Sequence, residues 1–85
     1  MSGIKIVPVF KAGTLAKVTK ILSFASSEVE VGYVMKGKLR SDVREGNMIS
    51  FIDGGNTRPL VAVSGTKDGD LIAVTGTSVY FVQKL

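Results

Sequence analysis

Glycine-bearing turn segments recur so closely from residue 37 onward that only short strands fit between them. Lys36-Gly37-Lys38, Gly46, Asp53-Gly54-Gly55-Asn56, Gly65-Thr66-Lys67-Asp68-Gly69 and Thr75-Gly76-Thr77-Ser78 each interrupt an apolar, β-branched run. Gly and Asn accept the positive φ angles of tight loops, so these segments read as turns and the runs between them as strands. The first strand is expected around 28–35, where Val29, Val31, Tyr33 and Met35 alternate with Glu28 and Glu30. Further strands are expected at 43–52, with Gly46 as a bend, and at 58–64, 71–74 and 79–82. Short strands with Gly-rich corners in so short a chain point to a small, strongly bent barrel.

The N-terminal third reads differently. Residues 4–10 alternate but contain Pro8, which has no N–H and confines a strand to an edge, so residues 1–13 form an extended leader. Thr14 is an acceptable N-cap, and Leu15, Val18, Leu22 and Ala25 recur at helical spacing with Ile21 beside them. Lys17, Lys20, Ser23 and Ser27 fall on the other side, which predicts a helix over 14–26. The competing reading is a strand, favoured by β-branched Val18, Thr19 and Ile21; against it, Ile21 and Leu22 would point opposite ways. The expected fold is mostly β: one domain over 1–85, with a leader, a helix at 14–26 and a five-stranded barrel over 28–83.

Composition narrows function by exclusion. The 85 residues contain no Cys and no His, which removes disulfides, thiolate nucleophiles, Cys/His zinc sites and imidazole acid–base chemistry. Asp68 and Asp70 supply at most half a cation site. Gly37, Gly46 and Gly54 match no dinucleotide or phosphate-loop fingerprint. The chain therefore reads as a non-enzyme without metal, cofactor or small-molecule substrate. Eleven Lys and Arg against seven Asp and Glu give a net charge of +4, which favours polyanions by steering and counterion release. Hydrophobic residues reach 45%; a small core is weak on its own, so a homo-oligomer is expected. Neither a membrane-length apolar run nor a signal-peptide layout is present, and the expected location is the cytoplasm, without a membrane partner.

Residues 14–83 resemble the Sm-like (Lsm) family in element order and turn sequences. Residues 70–82, Asp-Leu-Ile-Ala-Val-Thr-Gly-Thr-Ser-Val-Tyr-Phe-Val, are similar to that family's second motif, with Thr75 where the family usually has Arg. Gly46-Asn47-Met48-Ile49-Ser50-Phe51, followed by Asp53 and Asn56, looks like its first motif. An alternative register places that motif at Gly37-Lys38-Leu39 with Asn47. The resemblance implies an SH3-type, OB-like Sm barrel in a homo-oligomeric ring, with subunits paired edge to edge through Leu71, Ile72, Val74, Val79, Tyr80, Phe81 and Val82. It also implies single-stranded RNA, often uridine-rich, at the inner rim, contacted by Asp53, Gly54, Gly55, Asn56, Arg58, Thr75, Gly76 and Thr77.

The residues depart from that family at two points. Gly54 or Gly55 stands where a stacking side chain is expected, and Thr75 carries no guanidinium, leaving Arg58 as the substitute charge. Lys36, Lys38 and Arg40, with Arg44 nearby, could instead form a phosphate-tracking stripe along one face. Tyr33, Phe51, Tyr80 and Phe81 read as core or interface aromatics. Two further readings stay open: an assembly ring that binds no RNA, and, if 14–26 is a strand, a stand-alone barrel. The latter is similar to the second domain of translation GTPases and has Gly32, Gly37 and Gly46 at its turns.

Overall fold

The computed structural model describes residues 10–24 and 30–85. Six strands follow in order: β1 (Leu15–Ser23), β2 (Val34–Lys38), β3 (Met48–Ser50), β4 (Asn56–Gly65), β5 (Leu71–Thr75) and β6 (Ser78–Lys84). All pair antiparallel in one sheet ordered β2-β1-β6-β5-β4-β3. The sheet curls into a half-barrel, and its two ends touch at one place just beyond β2. There Leu39 bridges Phe51, Arg40 N–H donates to the Ser50 carbonyl at 2.8 Å, and Ile52 N–H donates to the Lys38 carbonyl at 2.9 Å.

The helix expected over 14–26 is a strand over Leu15–Ser23, and residues 25–29 lie outside the described residues. Ala16, Val18 and Lys20 point inward and are buried, while Leu15, Lys17 and Thr19 point outward. The register against β6 then slips between Lys20 and Leu22, a bulge that inserts Ile21 as an extra residue. Ile21 and Leu22 are therefore both exposed. The apparent failure of period 2 at this pair is the signature of the bulge, and β-branched Val18, Thr19 and Ile21 suit the extended backbone. Among the described residues the half-barrel accordingly has six strands rather than five.

Two other expectations are corrected, the turn at 36–38 and the strand around 28–35. Lys36-Gly37-Lys38 is no turn but the body of β2, facing Lys17, Ala16 and Leu15 in register. The turn that precedes β2 lies at residues 30–33: Tyr33 N–H donates to the Glu30 carbonyl and Gly32 has φ +96°. Gly32 N–H donates to the Lys20 carbonyl while Lys20 N–H donates to Tyr33, so two residues oppose one and Gly supplies the left-handed conformation this bulge needs. Of the extended leader, residues 1–9 lie outside the described residues. Phe10 is fully buried, bridges Val43, and carries the Lys84 ammonium 5.2 Å from its ring centre.

The core fills the concave side: Phe10, Ala16, Val18, Leu39, Val43, Ile49, Phe51, Leu60, Leu71, Ala73, Tyr80 and Val82. β1, β5 and β6 contribute alternate residues, as a half-buried sheet requires, whereas β3 and β4 give one each and β2 only the partly buried Met35. Among the described residues no helix is long and apolar enough to cross a membrane.

Candidate nucleic-acid interface

β4 determines how the two loops named by the sequence are disposed. Its first residues pair with β3 (Ser50 with Asn56, Met48 with Pro59), whereas β5 joins only from Leu60, opposite Thr75. Asp53, Gly54, Gly55 and Asn56 form the exposed β3–β4 turn, closed by Gly54 N–H to the Phe51 carbonyl and Phe51 N–H to the Gly55 carbonyl. Thr75, Gly76 and Thr77 belong to the β5–β6 turn. Four residues of β4 separate the two along the strand, about 13 Å at the usual rise. Arg58 is exposed on the β4 segment that extends past β5.

Thr75 is a turn-closing residue. It is 2% exposed, and its hydroxyl accepts from Ser78 N–H at 3.0 Å and Thr77 N–H at 3.2 Å while donating to the Ser78 carbonyl at 3.3 Å. Thr75→Val keeps the shape but strips these partners from the buried Ser78 amide. It is expected to cost about 1–3 kcal/mol, read as a lower urea midpoint; an unchanged midpoint would show that the hydroxyl contributes nothing.

The residues expected at a subunit interface divide by strand alternation. Leu71, Tyr80 and Val82 face the core, while Ile72, Val74, Val79 and Phe81 lie half-buried on the outer face. β5 is hydrogen-bonded to β4 and β6, and β6 to β5 and β1, so neither has the free edge that edge-to-edge ring pairing needs.

What the sheet does assemble is a cationic outer face. Along the line of β2, Lys36, Lys38 and Arg40 are exposed at alternate positions and Leu39 between them is buried, so the three cations share one side. They span about 13 Å. Arg44 lies apart in the exposed turn closed by Asn47 N–H on the Arg44 carbonyl. Lys17 on β1, which the helix reading had placed elsewhere, stands directly opposite Lys36. Leu39 N–H donates to Thr14 and Lys20 N–H to Tyr33. Alternation from those two bonds makes Lys17–Lys36 a non-hydrogen-bonded pair, the type with Cα atoms about 4.5 Å apart. Like charges in that relation repel, and on its other side Lys17 meets the neutral Gln83.

The stripe ends at an open groove of about 390 Å³ lined by Arg40, Ser41, Gly46, Asn47, Met48, Ser50 and Pro59. Arg40 is tethered there, its guanidinium donating to the Ile52 carbonyl at 3.5 Å. The Asp68–Asp70 turn is an ordinary hairpin connection, with Thr66 N–H on the Asp70 carbonyl and Asp70 N–H on the Thr66 hydroxyl. Among the described residues no three potential metal ligands gather.

Compared with known proteins, the chain matches no family model, no curated protein and no solved structure.

Proposed function

We propose that this chain is a stand-alone β-barrel module that binds RNA on the outer face of β1 and β2, acting as a scaffold or chaperone rather than an enzyme. The observation that carries the reading is the like-charge pair Lys17–Lys36, continued by Lys38 and Arg40. Holding two ammonium groups opposite one another costs stability, and a phosphate backbone offsets that cost. The strand at β1 favours the barrel that resembles the second domain of translation GTPases over the helix-bearing Sm-like ring. The interior position of β5 and β6 supports the same choice.

The test is a salt titration of binding to a uridine-rich oligonucleotide. Four phosphate contacts give a slope of log affinity against log salt of about −3 for a single strand. Light scattering of the same sample is expected to give the mass of one chain, 9.0 kDa. Absence of saturable binding at low salt sinks the RNA reading, and a ring-sized mass sinks the stand-alone one.

A further inference from the structure

We infer that the outer face of β1, β6 and β5 is a stacking platform for the bases of a single strand, with Phe81 at its centre and the lysine pair holding the backbone beside it. This rests on the RNA-binding reading above and adds to it what is recognised.

The register lays out that face as a grid. In one row Val34, Thr19, Phe81 and Ile72 face one another across β2, β1, β6 and β5. The row on one side carries Lys36, Lys17 and Gln83; the row on the other carries Leu22, Val79 and Val74. Inward-facing Val18, Tyr80 and Val82 fix the parity, so all of these side chains point outward. Phe81 is therefore the diagonal neighbour of Lys17, a relation of about 7–8 Å that aromatic and long side chains bridge. Beyond Leu22, Phe24 is 57% exposed, and its N–H donates to the Thr77 carbonyl at the end of the same face.

A ring with apolar neighbours and a cation one step away is the combination that single-stranded nucleic acid uses, stacking bases on the ring while the phosphates meet the charge. A duplex keeps its base faces covered and could engage only the lysines. An apolar protein surface would fit the Leu22 row but would bury the Lys17–Lys36 repulsion without an anion to relieve it. The grid therefore favours a single strand over a protein partner.

The experiment uses the full chain, oligouridine of about 12 nucleotides and a duplex RNA of equal length. The chain has no Trp, so Phe81→Trp installs a single tryptophan at the platform, excitable apart from Tyr33 and Tyr80. It is expected to bind the single strand as well as the wild type does, with saturable fluorescence quenching. Phe81→Leu, which keeps the apolar volume but removes the ring, is expected to weaken single-strand binding by about fivefold or more. Duplex binding and the salt slope should stay unchanged. Wild-type RNA binding with no loss in Phe81→Leu and no quenching in Phe81→Trp overturns the platform and leaves the RNA reading standing. No binding to either RNA overturns both. Capture by anionic lipid vesicles, or a dimer by light scattering, overturns it as well if Phe81→Leu abolishes that association while leaving RNA affinity intact.

Discussion

Phe51→Ala is expected to leave little folded protein, with a loss of about 3–5 kcal/mol against a total that is itself only about 3–5 kcal/mol for a core of this size. Phe51 is nearly fully buried and sits where the ends of the curled sheet meet, bridged to Leu39. Its ring also lies against Gly37: a Cβ built there would come 3.3 Å from Phe51 Cδ1. The ring thus fills the space that a side chain on β2 would otherwise occupy. Deleting it opens a cavity bounded by backbone on two elements, which cannot collapse without breaking the seam. Gly37→Ala approaches the same contact from the other side, where Phe51 need shift by only a few tenths of an ångström, but Gly37 also holds φ +153°, a conformation that L side chains rarely adopt, so this variant is expected to be destabilised as well. Ile52→Ala, at the neighbouring exposed position, should be nearly silent. A urea titration of the three variants orders them; a Phe51→Ala midpoint equal to wild type would mean that the seam contributes nothing to stability.

The same seam shows what could be read from the sequence and what could not. Turns at residues 53–56, 65–69 and 75–78, and the strands between them, were legible because Gly and Asn mark them locally. β4, β5 and β6 lie within three residues of their expected bounds. β1 was misread because its inward position 20 is a lysine and the bulge follows at once, so hydrophobic alternation is lost where it should have been strongest. Gly37 was read as a turn because a glycine between two lysines looks like one. Its actual reasons are a φ of +153°, which L side chains rarely adopt, and the approach of Phe51, a residue fourteen positions away. The stripe of Lys36, Lys38 and Arg40 was visible as alternation along one segment. Lys17 could join it only through β1–β2 pairing, and Phe81 only through β1–β6 pairing. Long-range register is what a local pattern does not contain.

Replacing Lys17, Lys36 and Lys38 together by Gln is expected to separate function from fold in opposite directions. Three fewer phosphate contacts reduce the steepness of the salt dependence by about 2, which at about 0.05 M salt weakens RNA binding by about 100- to 1,000-fold. Removing the charges also ends the Lys17–Lys36 repulsion, so stability at low salt should rise by about 0.2–1 kcal/mol, a gain that fades as added salt screens the wild-type pair. Lysines that merely keep the surface soluble would show neither the altered salt slope nor the loss of affinity. Cations held in place by packing would lower stability when replaced. Only a face built to hold charge against its own repulsion binds less and folds better when that charge is removed. Titration of RNA affinity and of urea midpoint across the same salt series measures both, and a variant that keeps its affinity places the RNA elsewhere on the barrel.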